Sequence, residues 1–484
     1  MLSVREVRLN VLNMRTRMPF RYGIASMTAL PHLFVRIEAD VNGKPAVGLA
    51  AEGLPPKWFT KDPATTFRQD LADMLGVIRH ACDAAIELPA AATVFAWWRA
   101  LYDAQMAWGA DRGYAPLLTG LGASLVERAL LDAVCRATAM PFPEAVRVNA
   151  LGIHLAALHA ELSDIEPGFF LPSRPLRRIV VRHTVGLADP LTDADISPGE
   201  RLEDGLPQSL EACVAAYGLT HFKIKLSGDL PKDIARLRQV AVVLDARALD
   251  TYRFTLDGNE QYASVTQFCE AWSAFAAEPS LRGFMPHALF VEQPLHRGVA
   301  LSDDAARELR AWRDRPAIII DESDGEAGSA AAALERGYAG TSHKNCKGVF
   351  RGVANACLIA KRRREQPQRR FVLSGEDLAN VGPIALLQDL ATMATLGVEH
   401  VERNGHHYFR GLSMLPENVQ SLVLEKHGDL YRRHDGGFPT LDVRAGRIEI
   451  DSVVEAPFGT RFLLDSMQFT PLEDWRFESL GVQE

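Results

Sequence analysis

Leu289-Phe-Val-Glu292-Gln-Pro294 and Ala317-Ile-Ile-Ile-Asp321-Glu322-Ser323 are the stretches on which the fold turns. Each is a short apolar run that ends on a carboxylate, as in a strand buried on both faces whose last residue emerges at one rim. The pattern recurs on either side. Phe254-Thr-Leu leads into Asp257-Gly-Asn259, Gly340-Thr-Ser leads into His343-Lys344-Asn345, and Lys223-Ile-Lys225 lies nearer the amino terminus. Functional groups at the carboxyl ends of successive buried strands are how a (β/α) barrel assembles a site.

Strand-like runs ending near Leu187, Leu226, Asp257, Glu292, Asp321, Lys344, Ser374 and Arg403 alternate with helical stretches at 230–249, 303–314, 351–363 and 383–396. This alternation predicts an α/β architecture, a modified (β/α) TIM-type barrel over residues 173–430. Pro172, Ser173 and Pro175 mark its start. Before it, residues 1 to about 53 read as antiparallel sheet, with strands flanking the hairpin signal Asn42-Gly43. Residues 63–88, 91–107 and 122–139 carry helical spacing, with Leu125, Ala129, Leu130, Ala133 and Val134 on one face of the last. Residues 1–172 are therefore expected to form an α+β capping domain. The segment 431–484 holds two more strand-like runs, Thr440–Arg444 and Arg447–Asp451, and is expected to pack back on that cap.

The chain has 484 residues, enough for a barrel of about 250 residues and a second domain. Its 47% hydrophobic and 24% charged content is that of an ordinary globular enzyme. A net charge of −8 argues against nucleic acid or anionic lipid as partner. No apolar run is long enough to span a membrane, and the opening residues alternate like a strand rather than forming a signal peptide. Six scattered cysteines without a CxxC pair indicate neither a zinc knuckle nor a disulfide framework. A cytoplasmic location is expected.

Lys223 and Lys225, two apart on a strand, point to one face, and in a barrel that face is the interior. Taken alone the pair reads as two surface lysines; its company changes that reading. Asp257, Glu292 and Asp321 follow at intervals of about one βα unit, roughly 30 residues, which places them on neighbouring strands. Three buried carboxylates repel one another unless a cation neutralises them, and an all-oxygen set suits Mg²⁺, with Mn²⁺ the alternative. Capping of the following helices would explain one of these acids but poorly explains three in succession. Lys344 lies one unit beyond Asp321 and would face Lys225 across the barrel mouth. His343 and Lys347 compete for its role. Strand parity turns His343 away from the Lys344 side, and Lys347 falls in the loop or on the next helix, so Lys344 is favoured.

These words together resemble the mandelate racemase/muconate lactonizing group of the enolase superfamily, over nearly the whole chain. Val126-Glu-Arg-Ala-Leu-Leu-Asp-Ala-Val-Cys135 resembles the last cap helix of that group, and the KxK, DxN, VEQP and DES words resemble its barrel motifs in order. The resemblance implies that Lys225 is one general base and Lys344 the opposed acid or base. Lys223 would contact the substrate carboxylate and help depress the pKa of Lys225. Asp257, Glu292 and Asp321 would bind Mg²⁺, and Asn259 would contact the substrate. Relatives with a His-Asp dyad place the His at the end of the seventh strand. Here that strand ends Leu373-Ser374-Gly375-Glu376, so the dyad is absent. Glu376 becomes a candidate for substrate contact, with an exposed helix cap as the alternative. A metal role for His406-His407 is not expected, because adjacent histidines rarely face one site.

Specificity is expected from two cap loops, Phe20-Arg21-Tyr22-Gly23 and Leu54-Pro-Pro-Lys57-Trp58. Arg21 and Lys57 would meet a second anionic group, or lie exposed in the loops, while Phe20, Tyr22 and Trp58 exclude water. The expected function is abstraction of the α-proton of a small carboxylate substrate through an enediolate. Racemisation or epimerisation leads, with dehydration or cycloisomerisation as alternatives within the superfamily and a non-catalytic ligand-binding barrel as the alternative of another class. A homo-oligomer is expected.

Overall fold

The computed structural model describes residues 1–247 and 252–482. Eight parallel strands form a closed barrel: β4 (Arg178–Val185), β5 (His221–Lys225), β6 (Arg253–Asp257), β7 (Ala288–Glu292), β8 (Ile318–Ile320), β9 (Gly340–His343), β10 (Val372–Gly375) and β11 (His400–Arg403). Closure comes from β11 pairing with β4, His400 opposite Val180. The strand ends fall within about two residues of those read from the sequence. The helix expected over 230–249 runs Leu230–Ala246, and its last expected residues lie outside the described ones.

A second sheet precedes the barrel: β1 (Leu2–Tyr22), β2 (Ala25–Val41) and β3 (Lys44–Gly53), all antiparallel. Asn42 (φ 54°) and Gly43 (φ 82°) make the β2–β3 turn, the two positive φ values that a two-residue hairpin requires. Helices α1 (Phe67–Glu87), α2 (Val94–Asp111) and α3 (Pro116–Thr138) follow. Thr66 and Gln69 cap α1 reciprocally.

The α3 helix begins at Pro116, ahead of the expected 122, and is buried on every side from Leu117 to Cys135. One-face periodicity is absent because the helix is sandwiched between the first sheet and the barrel. Its charged residues are tied on both sides. Glu127 accepts from the Phe350 N–H at 2.7 Å, and Asp132 accepts from the Leu49 N–H at 3.0 Å. Backbone contact is close here: a Cβ on Gly48 would lie 2.0 Å from the Ala129 carbonyl oxygen.

The carboxyl-terminal segment divides its contacts. One strand, β12 (Tyr431–Arg433), pairs with the next, β13 (Pro439–Leu441), while β14 (Arg447–Glu449) adds antiparallel to barrel strand β4 and β15 (Thr470–Pro471) pairs with β1. No helix among the described residues is long and apolar enough to cross a membrane.

Candidate active site

Strand alternation turns Lys223 and Lys225 of β5 into the barrel, where Lys223 is 1% and Lys225 7% exposed. The Lys225 ammonium lies 2.6 Å from Asp257 Oδ2. Asp257 and Glu292 end β6 and β7, and Asp321 follows β8 directly. Lys344, one residue past β9, places its Nζ 2.6 Å from Asp321 Oδ2 and 3.9 Å from Glu292 Oε1. The second and sixth of eight strands are diametrically opposed, so Lys225 and Lys344 approach the three carboxylates from opposite sides.

The charges decide one another's protonation. Burial alone would raise the Asp257 and Asp321 carboxyls. Lys223 and Lys225 outweigh it at Asp257, and Lys344 and Lys347 outweigh it at Asp321, so both stay below the usual carboxylate range. Glu292 is pushed well above that range by burial and by repulsion from Glu376, Asp257 and Asp321, against the pull of Lys223. Burial would lower the Lys344 ammonium, but Asp321 and Glu292 hold it above the ordinary lysine value. Burial and then Asp321 push the Glu322 carboxyl up to about 7.

The donor set fits a divalent ion of the Mg²⁺ or Mn²⁺ kind. Three mutually repelling carboxylates converge, all donors are oxygens, and the Asn259 Oδ1 beside them is buried without a hydrogen-bond partner. Asn259, at φ 39°, donates its backbone N–H to Asp257 Oδ1 at 2.9 Å and so braces that carboxylate.

Above these groups lies a small cavity of about 30 Å³. Lys223, Lys225, Asp257, Asn259, Asp321 and Lys344 line its floor, and Phe20, Tyr22 and Trp58 its roof. Phe20 stacks on Tyr408 with centroids 4.0 Å apart, Tyr22 Oη donates to the Pro56 carbonyl at 2.8 Å, and the Trp58 ring covers the Lys344 ammonium at 5.0 Å. Both cap segments are bolted to the barrel. Arg17 donates to Asp204 and to the carbonyls of Leu206 and His407. Arg297 pairs with Glu260 and donates to the carbonyls of Trp58 and Phe59 at 2.9 Å.

Several sequence expectations meet a different arrangement. Arg21 is exposed and lines a separate surface cleft beside Arg17 and Arg236. Lys57 is held by Asp70 at 2.9 Å and by the Asp62 carbonyl. Neither reaches the cavity. Glu376 is fully buried beneath it, neither at the cavity wall nor on an exposed helix, because Arg182, Ser374 and Lys223 hold it there. Lys223 is not a free cation for a substrate. Its Nζ is ringed by Asp257 at 3.0 Å, Glu292 at 2.8 Å, Glu376 at 2.7 Å and Glu402 at 3.0 Å. His343 turns away from the cavity toward Gly352 and Asn345. Lys347 is spent on Asp321 and Ser342. Cavity residues that the sequence reading passed over are Met27, Asp377, Leu378, Ala379 and Asn404.

No family model and no curated protein matches the chain. Solved structures do. A mandelate racemase/muconate lactonizing protein from Herpetosiphon aurantiacus aligns at TM-score 0.57 and 16% identity, over 94% of this chain and 98% of that one. A dipeptide epimerase from Enterococcus faecalis V583 aligns at 0.59 and 14%, over 94% and 99%. An N-succinyl Arg/Lys racemase from Bacillus cereus ATCC 14579 aligns at 0.56 and 15%, over 95% and 98%. With the closed eight-stranded barrel and its amino-terminal cap, these full-length alignments show that the chain shares the fold of those three proteins.

Proposed function

We propose that this protein is an enzyme that removes the α-proton of a carboxylate substrate, and that it racemises or epimerises that carbon. The observation that carries this reading is the opposition of Lys225 and Lys344, at the second and sixth barrel strands, across a cavity floored by Asp257 and Asp321, with Glu292 3.9 Å from the Lys344 ammonium. A proton α to a carboxylate is very weakly acidic, and its removal puts a second negative charge on the carboxylate oxygens. Mg²⁺ held by Asp257, Glu292 and Asp321 would supply the Lewis acidity that stabilises this charge. Lys225 and Lys344 do the proton work: whichever is neutral takes the proton from one face, and the protonated one returns a proton to the other. Trp58 over Lys344 and the Phe20–Tyr408 stack keep water out of the exchange.

The roof also bears on the substrate. Among the described residues, Arg21 and Lys57 face elsewhere, and Arg17 and Arg297 are engaged by carboxylates. Beyond its charged floor the cavity is lined by Phe20, Tyr22, Met27, Pro55, Trp58, Leu378 and Ala379, with Asp377 and Asn404 the polar members of that wall. This supports a substrate with one carboxylate and an apolar remainder, such as an N-acylated hydrophobic amino acid. The experiment is deuterium wash-in at the α-carbon in D₂O with Mg²⁺, over N-acyl amino acids, dipeptides and acid sugars of both configurations. Exchange with both enantiomers of one compound supports the reading. A full panel without α-exchange removes it.

A further inference from the structure

We propose that His183, Cys213 and His407 form a second metal site, outside the barrel lumen, that takes a borderline-soft transition metal of the Zn²⁺ kind. Arg182 and Thr184 of β4 point into the lumen, so His183 between them points out into the helix layer. There it meets Cys213 of the helix Leu210–Tyr217 and His407 of the helix Gly405–Tyr408. All three are buried, and their ligating atoms lie within 4.8 Å of one another.

The pairwise geometry is that of ligands around one ion. Cys213 Sγ is 3.5 Å from His407 Nδ1. Two ligands held ~2.0–2.3 Å from a tetrahedral Zn²⁺ stand about 3.5 Å apart. The other nitrogen of His407, Nε2, faces Asp189 Oδ2 at 3.8 Å. Asp189 is itself fixed by the Tyr408 hydroxyl at 2.6 Å and the Gly186 N–H at 2.8 Å. At 3.8 Å His407 and Asp189 do not hydrogen-bond, but the carboxylate lies on the side from which such groups orient metal-binding histidines. His406 stands beside this group, its Nε2 3.1 Å from His183 Nδ1, but outside the set of three.

The chemistry agrees with the geometry. Two imidazoles and a thiolate suit Zn²⁺ rather than the oxygen-seeking Mg²⁺. As the metal–sulfur bond forms, the Cys213 thiol gives up its proton to solvent. The dication is then balanced by that thiolate and Asp189. The ion would brace the floor beneath the cap, because Tyr408, next to His407, carries the stack with Phe20.

The test uses full-length protein, stripped with a chelator, returned to saturating Mg²⁺ and titrated with Co²⁺. One equivalent should bind with a thiolate-to-cobalt charge-transfer band, and Zn²⁺ should displace it. Cys213→Ser should abolish the band, and Asp189→Asn should weaken binding about 10–100-fold. Where a variant does not fold, X-ray absorption at the zinc edge on the unmutated protein decides, by showing one sulfur and two nitrogens. A wild-type titration without the band, a band that persists in Cys213→Ser, or a zinc shell without sulfur overturns the proposal. None of these readouts depends on α-proton exchange, so this site and the lysine reading stand or fall separately.

Discussion

Replacing Arg128 with Met removes half of a fully buried ion pair and tests how α3 is held to β3 within the cap. On α3, Arg128 donates Nη2 to Glu52 Oε2 at 2.9 Å, Nη1 to the Ala51 carbonyl at 3.0 Å and Nε to the Ser124 carbonyl at 3.2 Å. Both side chains are 0% exposed. Methionine fills most of the aliphatic volume, so the loss is chiefly electrostatic. Glu52, at the end of β3 just before the Leu54–Trp58 loop, keeps Asp377 and Asp389 as charged neighbours. Stranding one member of such a pair costs about 3–5 kcal/mol. Burial already raises the Glu52 carboxyl against the pull of Arg128, and without Arg128 it rises further. The native variant then holds a proton that the unfolded chain has released, so its stability falls as pH rises. The deficit against wild type should be largest at pH 7–8 and shrink as pH is lowered toward 5. Urea unfolding read together by tryptophan fluorescence and circular dichroism measures it. Arg128→Met/Glu52→Gln should recover most of the loss, since no charge is left buried. A deficit below about 1 kcal/mol at pH 7, or a double variant weaker than the single, refutes the reasoning.

Lys225→Ala and Lys344→Ala should each lower turnover by about 10²–10⁴-fold while Mg²⁺ binding by calorimetry is retained. Lys344→Ala should keep α-proton exchange for one enantiomer only, read by NMR in D₂O. Full activity in that variant would shift the second base to His343 or Lys347. Glu292→Gln should abolish metal-dependent activity and weaken Mg²⁺ binding in the same titration, an outcome the lysine variants do not share. Arg17→Ala cuts the tie between β1 and the 204–207 segment without touching the cavity. KM should rise more than kcat falls, and amide exchange should quicken over residues 15–22; unchanged exchange would show the clamp to be dispensable.

The barrel was legible because parallel strands buried on both faces must be apolar runs, and a charge that ends such a run marks the rim. Ala317-Ile-Ile-Ile before Asp321 says both things at once. The start of α3 was not legible, because a helix enclosed on all sides carries no single apolar stripe. Arg21 was misdirected for an instructive reason. Phe20-Arg21-Tyr22 was read as loop, yet these residues pair with Met27, Ser26 and Ala25 as strand. Alternation then sends Phe20 and Tyr22 inward and Arg21 to solvent. The metal-competent cluster left no spacing motif, since His183, Cys213 and His407 come from three elements that meet only in the fold.

The ring around Lys223 exposes a further limit of reading strand by strand. Asp257, Glu292, Glu376 and Glu402 reach its ammonium from β6, β7, the loop after β10 and β11, and each was judged beside its own sequence neighbours. A barrel lumen excludes water, so a charge on one strand must be answered across it, not along the chain. Arg182, Lys223, Lys225, Lys344 and Lys347 answer Asp257, Asp321, Glu376 and Glu402 across the lumen, and Glu292, pushed well above the usual carboxylate range, shares Lys223 with them. On that ground Glu376 and Glu402 belong to the balance that fixes Lys223 in the cavity floor, and the proposed reading leaves the proton work to the facing lysines, Lys225 and Lys344.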